Sequence, residues 1–510
     1  MGPASLKSGL YPKKRSKAAS LIATAREHPI LAMVTLVPVL LVALVLFSVP
    51  RSYGTAVPHG SSVTGRPRAG SLGGGGAEPT ERYAVVLDAG STGTRVHTYL
   101  FLEQPDGSLV LENDDFHSLK PGLSAYAGRP AEAAASIEGL LSKAELAVPV
   151  AVRRETPIEL RATAGLRLLP GSQAEDILSE VRRRLHASPF RFADEDVTVL
   201  DGQDEAAFAW LALNYLQGRL GRDPADTSAT VDMGGGSIQL AYAMDERDAA
   251  RAPEGYVREM SGAGRAYPVY VHSWLGYGLM AGRAQVLSKG SGLRGPGERR
   301  RGLAGDHPNP CVAEGPESTY RYSAVEYPLD APEGGPAIGE CRSMAREALN
   351  GDQVCAAASA TREGAGCLFD GAWGGPWASG GDDRPTVHLM SYLFDRAVDT
   401  GLARQSDRQA TVRPSHYLDK AGAVCEKDTA GEVVDLLREF GDHVDESAGQ
   451  FMCMDLVFMY ELLTSGFQIA HDEDVHLVRQ VEFAGEPVEV TWTLGAAINS
   501  LGRLHRRDLF

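Results

Sequence analysis

The sequence predicts an α/β protein whose fold is duplicated and closes on one ligand. Three observations carry this. A strand-like run at 83–87 leads into Asp88-Ala89-Gly90-Ser91-Thr92-Gly93-Thr94 and then into a second such run at 96–101. The same order recurs 144 residues later, with 229–231, Asp232-Met233-Gly234-Gly235-Gly236-Ser237 and 238–242. Each copy reads as strand, tight Gly/Ser/Thr turn, strand, with an aspartate at the end of the first strand. The third observation is length: 510 residues exceed what one core holds, so two or more domains are expected.

Such a turn suits phosphate. Glycine lets backbone amides approach an anion closely, and the hydroxyls add donors. A carboxylate beside the turn can hold a hydrated divalent cation against the same phosphates. One copy is a weak signal, because many hairpins carry Gly and Ser. Two copies in matching strand contexts are far more specific.

From the N-terminus, residues 1–28 hold six Lys or Arg against one Glu, a net of +5 in a chain of formal charge −16, so the remainder carries −21. That acidic body leaves no long basic face for a polynucleotide, which argues against nucleic acid as a partner. Three arginines at 299–301 sit among Gly and Pro and read as a solvated loop. Residues 29–49 carry no charge and are rich in Leu, Val and Ala, the length of a bilayer-spanning helix. With the basic cluster before it, the span reads as an uncleaved signal-anchor, with 1–28 a cytoplasmic tail and the chain beyond residue 50 lumenal or extracellular. The run is longer than a signal-peptide core, and no convincing small-residue cleavage site follows it. Residues 50–81, rich in Gly, Ser and Pro, read as a flexible stem. All six cysteines lie beyond residue 310 and none forms a C-x-x-C pair. This disfavours zinc, and an even number beyond a membrane anchor suggests disulfides.

In the globular part from residue 82, 131–147 reads as an amphipathic helix and 158–165 as a strand running into a loop. A helix over 175–185 and a short strand over 197–200 follow. The stretch 201–216 reads as a turn opening a helix, with Asp201, Asp204 and Glu205 at its start. Acidic residues there commonly cap the helix and complement its dipole. The same position can also aim a carboxylate at bound phosphates, as a general base for water. Further on, 288–310 is rich in Gly and Arg and reads as a mobile loop. Trp373 and Trp377 stand among glycines, in a loop that is either an aromatic lid or simply packed. The apolar run 451–467 is interrupted by Asp455 and Glu461, so it reads as a buried helix and not a second span. A helix over 494–504 with a basic end closes the chain.

Five ordered blocks carry a resemblance: VLDAGSTGTR at 86–95, ATAGLR at 162–167, LDGQDEAAFAWLALNY at 200–215, VDMGGGSIQ at 231–239 and CMDLVFMYELLTSGF at 453–467. Together with 309–311, 391–397 and 493–497, they make the chain from about 82 to 500 resemble the apyrase, or nucleoside triphosphate diphosphohydrolase, family. In look it is closest to single-span Golgi-type nucleoside diphosphatases and plant-type apyrases. The resemblance implies an actin-like fold of two RNase H-like lobes with mixed sheets flanked by helices, and nucleotide in the cleft between them. The N-terminal lobe is expected over 82–205, completed by about 490–510, and the C-terminal lobe over 206–489. The implied reaction is hydrolysis of nucleoside di- or triphosphates to the monophosphate and inorganic phosphate, expected in the Golgi lumen with the cell surface as the alternative.

Carried onto this chain, the resemblance makes Glu205 the base that activates water, while Asp88 and Asp232 hold Mg²⁺ or Ca²⁺ through water. Ser91, Thr92, Gly93 and Thr94 are implied to bind phosphate from one lobe, and Gly234, Gly235, Gly236 and Ser237 from the other. Thr163 is implied to face the phosphates, Gln239 to help Ser237 place the water, and Phe394 and Phe467 to stack the base. The family also implies the pairings Cys311–Cys341, Cys355–Cys367 and Cys425–Cys453. Two positions depart from its pattern, since many members carry Ala and Thr where this chain has Gly236 and Ile238. The glycine is expected to be harmless or to add flexibility, and the isoleucine to remove a hydroxyl near the site. The rival enzyme is an exopolyphosphatase of the same superfamily, against which the membrane run, the cysteines and the 453–467 block count. The rival of another class is a non-catalytic nucleotide-binding membrane protein, against which Asp88, Glu205, Asp232 and Ser237 count.

Overall fold

The computed structural model describes residues 78–90, 93–290, 308–323, 325–349, 366–379, 384–441 and 444–508. The expected tail and span, nearly all of the stem, most of the Gly/Arg-rich loop, Ser91, Thr92 and Cys355 lie outside the described residues. Among the described residues no helix is long and apolar enough to cross a membrane.

Strands β1 (Thr80–Ala89), β2 (Thr94–Glu103) and β3 (Leu109–Leu119) form an antiparallel meander. The first strand therefore starts two residues before residue 82. Strands β4 (Ile158–Ala162) and β5 (Val197–Val199) add in parallel, giving the order β3-β2-β1-β4-β5. Parallel neighbours need crossovers, and helices supply them: Pro130–Ser136 and Glu138–Ala147 before β4, and Gln173–His186 before β5. The single helix expected over 131–147 is thus two, parted at Ile137.

The second sheet repeats this plan. Strands β6 (Ala229–Met233), β7 (Ser237–Ala243), β8 (Val257–Gly262) and β9 (Arg265–Leu275) form its antiparallel part. After the separate hairpin β10 (Thr319–Tyr322) and β11 (Val325–Pro328), β12 (Val387–Ser391) joins β6 in parallel. Edge strand β13 (Gln409–Val412) pairs with β14 (Val475–Val478), completing the order β13-β14-β12-β6-β7-β9-β8. A last hairpin, β15 (Gln480–Phe483) and β16 (Glu486–Glu489), follows. Each sheet thus has a central strand, β1 or β6, with a hairpin partner on one side and a parallel strand on the other. Asp88 and Asp232 sit near the carboxyl ends of these central strands, where open α/β sheets take their ligands.

The helices Gly202–Leu216 and Trp492–Asp508 pack on each other between the sheets, the first against β7 and β9 and the second against β1. Enclosure on both sides explains why the 202–216 helix is apolar nearly all round, with Trp210 and Leu213 fully buried. The expected buried helix is Glu446–Glu461, continued by a π turn over Leu462–Gly466. Its two acids are tolerated inside because each has two arginines. Arg283 and Arg396 meet Asp455 at 2.6 and 2.9 Å, and Arg342 and Arg346 meet Glu461 at 2.7 Å each. Cys311–Cys341 and Cys425–Cys453 are bonded as implied, and Cys367 is also in a disulfide. Trp373 and Trp377 are buried, so that loop is packed and not a lid.

Candidate active site

A cavity of about 300 Å³ opens where the ends of β1 and β6 face each other. Asp88 and Gly90 line it from the first sheet, Asp232, Gly234 and Gly235 from the second, and Thr163 from the end of β4. Glu205 reaches it from the first turn of the 202–216 helix. The three acids at that helix start divide their work. Asp201 caps, accepting from the Gln203 amide at 2.9 Å, and Asp204 pairs with Arg258 at 2.9 Å. Glu205 turns to the cavity.

The second turn is held so that its carbonyls do not oppose an anion. Those of Gly234, Gly235 and Gly236 accept from the amides of Leu279, Met280 and Gly276 at 2.8–2.9 Å. Gly278 makes this approach possible, since a Cβ there would stand 2.5 Å from both the Gly234 oxygen and the Ser237 nitrogen. Gly278→Ala is therefore expected to push the turn out of place, destabilising the protein by about 1–3 kcal/mol and lowering turnover. Thermal unfolding and phosphate release check both.

Three carboxyls crowd the site. Burial pushes Glu205 up to about 7; Arg167 pulls against this, and the charges of Asp232 and Asp88 add to it. The Arg167 guanidinium donates to the Glu205 carboxylate, and Gln239 Nε2 donates to it at 3.3 Å. The same Nε2 contacts Ser237 Oγ at 2.7 Å and Ser273 Oγ at 3.3 Å. Burial also raises Asp88, opposed by Arg95, which donates to its Oδ2 at 3.0 Å. Among the described residues Asp88 Oδ1 is buried without a hydrogen-bond partner. Asp232 is raised by burial and by Asp88, and accepts from Ser391 Oγ at 2.6 Å. Three buried carboxyls raised together, one with an oxygen that has no partner among the described residues, leave room for further positive charge. That fits a divalent cation. Among the described residues no group of three or more His, Cys, Asp or Glu is placed to hold a metal directly. A cation on two carboxylates keeps most of its water, as Mg²⁺ commonly does.

Of the residues expected from sequence, Asp88, Thr163, Glu205, Asp232, Gly234 and Gly235 come together on the cavity wall. Ser237 and Gln239 stand behind it, linked to Glu205. Several expectations need correction. Thr94 is fully buried and shares the β2 face of Val96, opposite to that of Arg95 and His97, so its side chain does not reach the cavity. Gly236 is more than harmless. A Cβ there would stand 2.7 Å from the Ala164 Cβ, so the glycine lets the second turn close onto the helix Ala164–Arg167. Ile238 points into the apolar core of the second sheet, so no hydroxyl is missing from the site. Phe467 is fully buried, edge-on to Trp274 and Phe369 with centroids 5.3 Å away, and has no face to offer a base. Phe394 lines the cavity, but its ring is buried with Arg479 lying over it at 4.9 Å.

The expectations missed Arg95, Arg167, Ser273 and Ser391. The two arginines close the 86–95 and 162–167 blocks, but nothing in those blocks says which acid each meets. Ser391 stands at φ 56°, a left-handed backbone that aims its hydroxyl at Asp232.

The family model for GDA1/CD39 (nucleoside phosphatase) matches residues 77–507. The chain belongs to the GDA1/CD39 family. It is 40% identical to "Probable apyrase 1" of Oryza sativa subsp. japonica, over 91% of this chain and 92% of that protein. It is 30% identical to "Nucleoside diphosphate phosphatase ENTPD5" of Homo sapiens, over 83% of this chain and 89% of that one. The crystal structure of nucleoside triphosphate hydrolases from Neospora caninum aligns with a TM-score of 0.52 at 15% identity, over 84% of this chain and 93% of that one, a likeness of fold. The fold is the actin-like one of nucleotide hydrolases, with mixed sheets and helices. Like its GDA1/CD39 relatives, the chain is a nucleoside phosphohydrolase acting on nucleoside di- or triphosphates. The family uses divalent cations.

Proposed function

We propose that Glu205 is the general base that takes a proton from the water attacking the terminal phosphoryl group of a nucleoside di- or triphosphate. The observation that carries this reading is a buried carboxyl raised to about 7, facing the same cavity as both phosphate turns. A base poised near the working pH is what proton abstraction from water asks for. Gln239 ties Glu205 and Ser237 into one network, which orients carboxylate and hydroxyl toward the water. Thr163, Gly234, Gly235, Gly236 and the first turn, with Ser91, Thr92 and Gly93, take the phosphate oxygens. Asp88 and Asp232 suit a hydrated Mg²⁺ or Ca²⁺, which supplies charge against those oxygens. In this reading 82–205 with 490–510, and 206–489, are lobes that close on the nucleotide. Residues 29–49 anchor the chain in a membrane with its catalytic body in the Golgi lumen, an assignment the disulfides favour.

The test is phosphate release by the oxidised full-length protein with Mg²⁺ or Ca²⁺, offered ATP, ADP, GDP, UDP and polyphosphate. Turnover of nucleotides is expected. Release from polyphosphate alone gives the site to an exopolyphosphatase, and binding without release makes it non-catalytic. A second variant probes the cation. Ser391→Gly keeps the left-handed backbone and deletes only the hydroxyl on Asp232. Losing a hydrogen bond to a charged group, about 1.5–3 kcal/mol, is expected to raise the cation concentration for half-maximal activity roughly tenfold. Equilibrium binding of the metal to the nucleotide-free protein reads the same change.

A further inference from the structure

The end of the first sheet opposite the carboxyls carries the most exposed large apolar side chains among the described residues. Leu146 is 82% exposed and Val150 76%, against 44% for the next, Phe116. Both lie where the helix Glu138–Ala147 turns back to feed β4, and Pro149 and Ala151 are exposed beside them. One exposed leucine is ordinary on a protein surface, but four apolar residues within the six positions 146–151 make a tip.

The tip is held from within. Val148 is buried in the core beneath it. Arg153 folds back over the turn, its Nε donating to the Val148 carbonyl at 3.0 Å and its Nη2 to the Glu145 carbonyl. The Val148 amide donates to the Ala144 carbonyl and the Val152 amide to the Pro149 carbonyl, both at 3.1 Å. Thr156 Oγ1 donates to the Val152 carbonyl at 3.0 Å. Carbonyls at a helix end ordinarily look to water. Here the chain itself meets those of Ala144, Glu145 and Val148, so an apolar medium would not orphan them.

The topology says what can cover the tip. Strand β4 runs parallel to β1, with Ile158 opposite Val85 and Ala162 opposite Ala89. The loop that feeds β4 therefore lies at the end where β1 begins, at Thr80, while Asp88 and Thr163 mark the other end. The uncharged run 29–49 stands only 30 residues before Thr80, across 50–79. The end that receives the chain from that run is thus the end that bears the tip. Lys143, Arg154 and Arg191 are exposed near it, and so are Glu155 and Asp194. With both signs of charge present, the apolar side chains are the feature left for a partner to read.

We propose that this tip docks on the lipid bilayer that holds residues 29–49, with Leu146 and Val150 entering the headgroup boundary and the cleft turned away from the surface. This docking rests on the membrane-anchor reading above and adds to it an orientation of the catalytic body. A tethered body meets its bilayer intramolecularly, so a small apolar contact suffices. Apolar faces that lie on a bilayer enter it by about 5–10 Å, the depth of the upper acyl chain.

The experiment puts an environment-sensitive fluorophore on Val150→Cys in the full-length protein, reconstituted in phosphatidylcholine vesicles whose lipids carry a nitroxide high or low on the acyl chain. Among the described residues no cysteine is free, so the added thiol takes the label. Ser118→Cys, exposed at the carboxyl end of β3 on the cleft side of the sheet, is the comparison. The label at 150 is expected to shift to the blue and to lose fluorescence, more to the high nitroxide than to the low one. The label at 118 is expected to do neither. Adding Leu146→Asp should abolish the quenching at 150 while melting temperature and turnover stay as they were, because that side chain is mostly exposed. Flotation with the vesicles that survives alkaline carbonate, with 150 quenched no more than 118, overturns the docking and leaves the anchor standing. A blue shift without quenching gives the tip to a protein or a second copy of this chain, and overturns it too. Loss of flotation removes the anchor reading and the docking together.

Discussion

Glu205→Gln is expected to lower kcat by about 10²–10⁴-fold, the worth of a positioned general base, with KM within a few-fold of the parent. The protein should not become less stable. Glu205 holds its proton to about 7 in the folded chain, against an ordinary 4.5. The unfolded chain therefore loses that proton first as pH rises. A group raised in this way subtracts from stability progressively between about pH 4.5 and 7. Without a divalent cation the full deficit is about 3 kcal/mol above that window. Glutamine cannot ionise, and its amide oxygen still accepts from Arg167. The melting temperature of the variant relative to the parent, read in chelator, should accordingly climb from pH 5 to pH 8. A variant that keeps turnover within tenfold of the parent places the base elsewhere. One that melts several degrees lower at every pH shows that the carboxylate was structural.

The two aspartates and Glu205 were legible because each ends a recognisable local pattern, strand-then-turn or turn-then-helix, and pattern fixes direction. Ile238 could have been read in the same way. Ser237 and Gln239 lie on one side of β7, so the residue between them faces the other, and its lost hydroxyl concerns the core. Thr94 failed through the placement of β2. Once that strand starts at residue 94, alternation puts Thr94 with Val96, away from Arg95 and His97. The aromatic assignments failed for a different reason. Which ring keeps an open face depends on what packs against it. Phe467 meets Trp274 and Phe369, whose partnership no local spacing announces, while Phe116 owes its exposure to the rim position of β3. The doubled sheet was visible in the doubled turn. The helices 202–216 and 492–508 that join its halves were visible only as helices, because their shared core is made by residues almost three hundred positions apart.

Arg167→Met is expected to move the acid limb of kcat/KM upward by a unit or more and to cost about tenfold or more at pH 7. Arg167 is the cation paired with Glu205, and it favours the ionised form that can accept a proton. Without it, burial and the charges of Asp232 and Asp88 act unopposed, so the carboxyl stays protonated further into the neutral range. A cation held by Asp88 and Asp232, as proposed above, would offset part of their repulsion and set the parent's limb at or below about 7. The sign of the effect separates electrostatics from simple damage. A base left protonated recovers when pH is raised past its new pKa, so most of the lost activity should return by two units above the parent limb. A displaced helix Ala164–Arg167, which also carries the contact with Gly236, loses activity equally at all pH. Arg167→Lys keeps the charge but not the planar fork, and should shift the limb less than methionine does. An Arg167→Met profile parallel to the parent's would assign the arginine to holding the two turns together and would leave the tuning of Glu205 to burial.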